Sequence, residues 1–254
     1  MTAFNPLALT GRAVVVTGAS SGIGRATAVV LSKLGARLVL SGRRVEALEE
    51  TRASLERPDD HLVEPFDLAN LDEIPAWLRG VRERLGQPLH GVVHSAGLGG
   101  TSPIRALSRK AIDSILVPNL HAALMLLRGS TAKGVVSEHG GSFVIISSAA
   151  AMVATKGLVV YAGSKGALHA VVKSAAQELA DKRVRVNCVA PAYVDTPMLE
   201  QAKTELPGHF GHLDKQFLGL IAPEDVGTAV AYLLCDAAKA VTGTVLVIDR
   251  GYTL

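Results

Sequence analysis

Short apolar runs of strand length alternate with helix-like patterns along the whole chain. This alternation is the sequence feature that most restricts the fold. Seven runs are predicted to be strands, at 13–16, 38–40, 62–63, 91–94, 143–146, 184–189 and 245–248. Helical patterns separate them, one ending near 34 and the others at about 45–55, 74–85, 108–133, 159–180 and 224–234. Strands joined by crossover helices predict an α/β chain with a doubly wound, seven-stranded parallel sheet between two helical layers.

Length and composition suit one large soluble α/β domain, with two small domains as the alternative, and argue against several other classes. The 254 residues are 48% hydrophobic and only 4% aromatic, which suits small and aliphatic side chains packed on a parallel sheet. A net charge of +3, without a basic stripe interleaved with aromatics, predicts no nucleic-acid partner. No signal-peptide pattern or membrane-length apolar run is evident, so we expect a cytoplasmic protein with no membrane contact.

No metal site is predicted. Cys188 and Cys235 form neither a disulfide framework nor a metal-binding spacing, which favours a reducing compartment. His209 and His212 are three residues apart, but no third ligand accompanies them.

A glycine-rich turn, Thr-Gly-Ala-Ser-Ser-Gly-Ile-Gly at 17–24, separates the first strand from the first helix. Glycines permit a tight turn and close approach of a pyrophosphate, and the helix N-terminus supplies N–H groups and a positive dipole. In this position the turn indicates dinucleotide binding, although the same pattern also serves as an ordinary helix entry. The residues expected to hold the cofactor here are Gly18, Ser20, Ser21, Gly22, Ile23 and Gly24.

The end of the second strand predicts which dinucleotide is bound. NAD sites place an acidic residue there, whereas this chain has Ser41, Gly42, Arg43 and Arg44. A guanidinium pairs well with a 2′-phosphate, so Arg43 favours NADP(H), with NAD(H) still possible. For Arg44, a solvated arginine at the start of a helix is an equally good interpretation.

Three later strand ends carry further candidates for the cofactor site. Asp67 could bind an adenine amino group, or it could be a turn residue and helix N-cap. Ala96 and Gly97 leave room for the cofactor against the backbone. Val194 and Thr196 could hold a nicotinamide carboxamide, although an ordinary strand exit explains them as well.

Tyr161 and Lys165 are four residues apart on a predicted helix and therefore share one face. A phenol has a pKa of about 10, and a neighbouring ammonium favours the phenolate. The pair is thus suited to general acid–base catalysis, although such pairs also occur by chance. Ser148 follows a predicted buried strand, where open parallel sheets place their ligands, and could hold the reacting oxygen.

Asn119 directly follows Pro118 within the predicted long helix. Proline removes a helix hydrogen bond and predicts a kink, which can free a carbonyl to hold a water molecule. The alternative is that Asn119 is a plain polar helix position.

Taken together, these motifs resemble the short-chain dehydrogenase/reductase family from residue 9 to the C-terminus. The matching residues are the turn at 17–24, Asp67 and Leu68, Ala96 and Gly97, Asn119, Ser148, Tyr161, Lys165 and the strand exit at 187–196 with Pro191. The resemblance implies a Rossmann fold in which Tyr161 is the acid/base, Ser148 holds the substrate oxygen and Lys165 binds the nicotinamide ribose. It further implies that Lys165 lowers the phenol pKa and that Asn119 fixes the kinked helix and a proton-relaying water.

The chain departs from the family pattern at three places. His94 and Ser95 replace a usual asparagine pair, Ala192 follows Pro191 where glycine is usual, and Arg250 interrupts a late Asp-Gly-Gly. In the family, the asparagine side chains at the positions of His94 and Ser95 tie the sheet to neighbouring elements. None of the three departures affects the proton-transfer residues.

The expected function is NADP(H)-dependent interconversion of a ketone and a secondary alcohol. The alternatives are a 3-oxoacyl-thioester, polyketide or sugar ketoreductase, or a catalytically silent NADP(H)-binding regulator. The stretch at about 193–222 is predicted to be a substrate loop, and apolar pocket walls are expected from Leu98, Met152, Leu158, Met198 and Leu199. The resemblance also implies a homotetramer or homodimer.

Overall fold

The computed structural model describes residues 5–205 and 213–254. Seven strands form one parallel sheet in the order β3-β2-β1-β4-β5-β6-β7. Their bounds are β1 Ala13–Thr17, β2 Arg37–Ser41, β3 Leu62–Val63, β4 Gly91–His94, β5 Gly141–Ile146, β6 Val184–Pro191 and β7 Val245–Ile248. The predicted seven-stranded doubly wound sheet is therefore confirmed. The strand order reverses between β1 and β4, which opens a crevice at their carboxyl ends.

Eight α-helices of the described chain cover both faces of this sheet. They are α1 Gly22–Lys33, α2 Val45–Ala53, α3 Ile74–Leu85, α4 Arg109–Leu116, α5 Ala122–Ser130, α6 Val159–Glu178, α7 Pro197–Glu205 and α8 Pro223–Leu234. Helices α1 and α8 pack together on one face, whereas α3, α5 and α6 lie on the other.

Side chains on each central strand alternate between the two cores. In β1, Val14 and Val16 enter the core beneath α1 and α8, and Val15 enters the opposite core. Because the sheet is buried on both faces, its strands appear in the sequence as continuous apolar runs rather than alternating ones.

The predicted long helix at 108–133 is divided by a π-helical turn, Val117–His121, between α4 and α5. Pro118 lies in this turn and has no N–H for the helical ladder, which explains the predicted irregularity. The 22-residue stretch Arg109–Ser130 is long and apolar enough by length and composition to cross a membrane. In this fold it packs against α3 and α6.

The stretch at 193–222 was predicted to be a loop without helices, and this part of the prediction was wrong, whereas its role in binding substrate stays a prediction. It contains α7 and a 3-10 turn, Leu213–Lys215. The Thr196 hydroxyl accepts a hydrogen bond from the Leu199 N–H at 3.4 Å, and Pro197 begins the helix. Residues 206–212, with His209 and His212, lie outside the described residues.

Candidate active site

A cavity of about 240 Å³ opens at the carboxyl ends of the central strands. It brings together candidates from five separate segments of the chain. Among the sequence-predicted residues, its lining includes Ile23, Gly97, Ser148, Tyr161, Lys165, Pro191, Val194 and Thr196.

The glycine-rich turn lies where two backbone segments nearly touch. Gly18 has φ +69°, and a Cβ there would lie 2.7 Å from the Ala96 nitrogen. A Cβ at Gly24 would lie 2.2 Å from the Gly18 oxygen, so both positions require glycine. Ser21 gives α1 no side-chain cap, and the first turn of α1 carries no acidic residue. The positive end of α1 is therefore available to an anion.

Arg25 fixes this turn, a role that the sequence analysis did not predict. Its guanidinium donates to the Ser20 carbonyl at 2.9 Å and to the Thr51 hydroxyl at 2.9 Å. The Thr51 hydroxyl in turn donates to the Ala19 carbonyl at 2.9 Å. Because Thr51 is 26 residues from Arg25 in the sequence, no local pattern could have indicated this link.

Arg43 and Arg44 are both exposed beside the end of β2. In the chain as described, neither side chain has a hydrogen-bond or ion-pair partner. A Cβ at Gly42 would lie 3.6 Å from the Ser20 hydroxyl oxygen, so the arginines follow a segment adjacent to the glycine-rich turn. Their position suits a phosphate on the adenosine ribose, and their binding role stays a prediction.

Asp67 and Leu68 are placed farther from the cavity, beyond β3. The exposed Asp67 carboxylate accepts a hydrogen bond from the Ala69 N–H at 3.0 Å, which is the turn role weighed above. Leu68 is 7% exposed and packs in the core. An adenine contact by Asp67 stays a prediction.

Tyr161 and Lys165 lie on one face of α6, as the spacing predicted. The Lys165 Nζ is 5.9 Å from the Tyr161 ring centroid and donates to the Ile146 carbonyl at 2.8 Å. Ser148 begins a short 3-10 turn and accepts from the Ala150 N–H at 3.1 Å. The Ser148 hydroxyl lies close to the Tyr161 phenol. The three candidate catalytic groups therefore meet in one cavity.

The electrostatics of the pair differ from the expectation drawn from spacing. Burial raises the pKa of Tyr161, and the nearby Ser148 hydroxyl lowers it by a smaller amount. Burial also lowers the pKa of Lys165 to about 8, against a smaller raising effect of Cys188. A lowered phenol pKa was therefore the wrong direction, because desolvation disfavours both charged forms.

Asn119 is fully buried in the π turn and uses its side-chain amide to position neighbours. Its Oδ1 accepts from the Leu98 N–H at 2.8 Å, and its Nδ2 donates to the Leu98 carbonyl at 3.0 Å and the Ser164 hydroxyl at 3.1 Å. A Cβ at Gly97 would lie 3.0 Å from Asn119 Oδ1 and 3.3 Å from Lys165 Nζ. Asn119 thus joins the exit of β4 to α6, whereas its water relay stays a prediction.

His94 connects β4 to β1 and to the π turn. The fully buried ring lies 3.0 Å from the Thr17 hydroxyl through Nδ1 and 3.1 Å from the Pro118 carbonyl through Nε2. Burial, with a smaller effect from Lys165, lowers the pKa of His94 to about 3. The neutral ring therefore carries its proton on Nε2, since a carbonyl can only accept, and Nδ1 accepts from Thr17.

Apolar side chains form much of the cavity wall. Leu98, Leu158, Met198 and Leu199 line it as predicted, but Met152 is not among the lining residues. Tyr193 and Tyr252, which the sequence analysis did not propose, also line it, with ring centroids 5.2 Å apart at an edge-on angle of 78°. Tyr252 comes from the C-terminal segment, whose approach to the cavity depends on the folded chain.

No metal centre accompanies this cavity in the part of the chain that the structure describes, where no group of three His, Cys, Asp or Glu residues is placed to hold an ion.

Comparison with known proteins extends the motif resemblance to the whole chain. A family model described as enoyl-(acyl carrier protein) reductase matches residues 18–253. The chain belongs to the short-chain dehydrogenase/reductase family. It is 32% identical to a D-threitol dehydrogenase of Mycolicibacterium smegmatis, covering 97% of this chain and 94% of that protein. It is 31% identical to the human 3-oxoacyl-[acyl-carrier-protein] reductase, covering 94% and 97% of the two chains.

A solved structure supports the same assignment. That structure is of a candidate short-chain alcohol dehydrogenase from Sinorhizobium meliloti 1021, with a TM-score of 0.88 and 30% identity. The match covers 98% of each chain. As a member of this family, the protein is an NAD(P)-dependent oxidoreductase that acts on a small-molecule carbonyl or alcohol.

His94 should make the stability of this short-chain dehydrogenase/reductase depend on acid. Its pKa is about 3 when folded and 6.5 in an ordinary setting, so only the unfolded chain gains a proton between these values. The free energy of unfolding should therefore fall as pH drops from 6.5 towards 3, by up to about 1.4 kcal/mol per pH unit.

Denaturant unfolding of wild type and His94→Asn at pH 7.0 and pH 4.5 measures this effect. The free energy of unfolding of the variant minus that of wild type should be about 2–3 kcal/mol larger at pH 4.5 than at pH 7.0. Parallel pH profiles would show that His94 is not responsible.

Proposed function

We propose that the protein is an NADP(H)-dependent oxidoreductase that interconverts a ketone and a secondary alcohol. The observation that carries the proposal is the meeting of Ser148, Tyr161 and Lys165 in a cavity bordered by the glycine-rich turn and Gly97. The glycine-rich turn and the proton-transfer groups therefore border the same crevice.

The residues present fit a dinucleotide. Close approach of the backbone leaves no space for a side chain at Gly18, and Gly97 leaves little space at the exit of β4. The uncapped α1 N-terminus suits the pyrophosphate, and exposed Arg43 suits a 2′-phosphate. Thr196, which lines the cavity, also lies beside the glycine-rich turn. A Cβ at Gly22 would lie 3.4 Å from the Thr196 methyl carbon.

The bound nicotinamide would supply or accept the hydride. In the direction of reduction, Ser148 hydrogen-bonds the carbonyl oxygen and Tyr161 donates a proton to it. The raised pKa of Tyr161 keeps that proton on the phenol at neutral pH. Lys165 would contact the ribose and return a proton to the phenol, and a water held at the π turn of Asn119 would relay the replacement proton to Lys165.

The substrate is a ketone with apolar character, since Leu98, Leu158, Met198 and Leu199 line the cavity. The resemblance to a 3-oxoacyl-[acyl-carrier-protein] reductase supports a 3-oxoacyl thioester. The resemblance to a D-threitol dehydrogenase supports a polyol instead. A silent regulator is the weaker alternative, because binding alone does not require Ser148, Tyr161 and Lys165 in one cavity.

Tyr161→Phe should separate catalysis from binding. We expect kcat/KM for NADPH-dependent ketone reduction to fall by about 10²–10⁴, because the proton donor is lost. The NADPH Kd should change less than about twofold. Tyr232→Phe, on the half-exposed surface of α8, is the control.

The substrate panel should include 3-oxoacyl thioesters, simple ketones and, in the oxidative direction, polyols. Turnover that survives Tyr161→Phe would exclude this mechanism. Tight NADPH binding by a wild-type protein that turns over no substrate would favour the regulator.

Arg43→Ala should weaken NADPH much more than NADH. Loss of a charge-assisted phosphate contact should raise the NADPH Kd about 10- to 100-fold and leave NADH within about twofold. Isothermal titration with both cofactors measures this, with Arg44→Ala testing the open role of its neighbour and Arg109→Ala as a distant control. Equal losses for both cofactors would contradict the NADP(H) assignment.

We also propose a homotetramer that buries the α4–α5 stretch and α6 between subunits. Within Arg109–Ser130, only 33% of an apolar 18-residue stretch is buried inside the protein, and the Leu124 side chain is 43% exposed. Leu124→Glu should therefore yield a smaller species in light scattering, whereas Val45→Glu, at an equally exposed site on α2, should not. A wild-type monomer would contradict the proposal.

A further inference from the structure

Three non-glycine residues in the described chain adopt left-handed backbone, and all are arginines. Arg57, Arg183 and Arg250 have φ of 54°, 55° and 49°. Such a conformation is unfavourable for any residue with a Cβ, so it persists only where the surroundings impose it. Arg250 stands out because its side chain makes a set of directed contacts near the cavity.

The Arg250 guanidinium joins three segments. Its Nη1 donates to the Leu218 carbonyl at 2.7 Å and to the Leu220 carbonyl at 2.6 Å. Its Nη2 donates to the Asp225 carboxylate at 2.9 Å. The planar fork of an arginine suits this geometry, and a lysine cannot reproduce it. Arg250 thereby ties the C-terminal turn to the segment 216–221 and to the first turn of α8.

The segment 216–221 in turn holds the backbone of Tyr193. The buried Gln216 side chain accepts from the Tyr193 N–H at 3.0 Å and donates to the Tyr193 carbonyl at 3.0 Å. The Ile221 N–H donates to the same carbonyl at 3.1 Å, and the Asp195 N–H donates to Ile221 at 2.9 Å. A shift of the segment would therefore move one wall of the cavity.

The C-terminal turn places Tyr252 on the same wall. The Asp249 carboxylate accepts from the Gly251 N–H at 3.0 Å, the Thr253 N–H at 2.9 Å and the Thr253 hydroxyl at 2.5 Å. A Cβ at Gly251 would lie 2.5 Å from the Phe217 ring, so the turn and the segment are in close contact. Tyr252 then meets Tyr193 edge-on and lines the cavity.

We propose that Tyr193 and Tyr252 form the wall that contacts the substrate beyond its reacting carbonyl, and that Arg250 is the residue that positions this wall. The proposal rests on the ketone-reducing function above. It specifies a substrate with a flat or apolar group extending past the carbonyl carbon. A short ketone does not reach the wall and should be insensitive to it.

The test compares two substitutions that relieve the same backbone conformation. Arg250→Gly removes the three contacts, and Arg57→Gly is the matched control at φ 54° with an exposed side chain. The probes are two 3-oxo esters, ethyl benzoylacetate and ethyl acetoacetate, of which only the first carries a ring beyond the carbonyl.

Arg250→Gly should raise the KM for ethyl benzoylacetate about 10-fold while kcat changes less than about threefold. The KM for ethyl acetoacetate and the NADPH Kd should each change less than about threefold. Arg250→Lys should behave like Arg250→Gly, and Tyr252→Leu should reproduce the same selectivity change. Equal rises in KM for both esters, or a parallel loss of NADPH binding, would overturn the proposal.

Hydrogen exchange tests, without turnover, whether Arg250 holds the segment 216–221 in place. The amides of Gly219 and Ile221 donate to Gln216 and Tyr193 carbonyls, and their exchange should accelerate in Arg250→Gly but not in Arg57→Gly. Unchanged exchange in Arg250→Gly would overturn the positioning role of Arg250. A wild-type protein that reduces neither ester but turns over another substrate of the panel would overturn the substrate wall alone, whereas one that turns over no substrate of the panel would overturn the proposed function. In both cases the exchange data would still decide the role of Arg250.

Discussion

One chain of buried hydrogen bonds joins the two sides of the crevice, and much of the site depends on it. The Ala96 N–H donates to the Thr17 hydroxyl at 3.3 Å, Thr17 donates to His94, and His94 donates to the Pro118 carbonyl. Every link lies at the end of β1, at the end of β4 or in the π turn. Because a buried polar group without a partner is costly, each member restricts the positions of the others.

The π turn connects these hydrogen bonds to α6, which carries Tyr161 and Lys165. Pro118 supplies a carbonyl to His94, and the next residue, Asn119, directs its amide to Leu98 and to Ser164. Ser164 immediately precedes Lys165 on α6, so a single side chain holds the exit of β4 to α6. Gly97 leaves little room between them, because a Cβ there would lie 3.0 Å from Asn119 Oδ1 and 3.3 Å from Lys165 Nζ.

Local patterns in the sequence predicted the sheet, the glycine-rich turn and the shared face of Tyr161 and Lys165. They did not predict α7, which is only nine residues long and follows a strand exit without a strong apolar period. The roles of Arg25, His94 and Arg250 depend on partners far away in the sequence, and Tyr252 enters the cavity from the last residues of the chain. The pKa of Tyr161 was misjudged because spacing identifies a neighbouring ammonium but not the extent of burial.

Burial is the main influence on the acid–base properties of Tyr161 and Lys165. Desolvation is the largest influence on both Tyr161 and Lys165, raising the first pKa and lowering the second to about 8. Ser148 provides the opposing influence on the phenol, so the hydroxyl expected to hold the substrate oxygen also adjusts the acidity of its proton donor. Tyr193, Met198 and Tyr252 line the same cavity as this pair. The raised pKa keeps the proton on the Tyr161 phenol at neutral pH, which is the state that a proton donor requires.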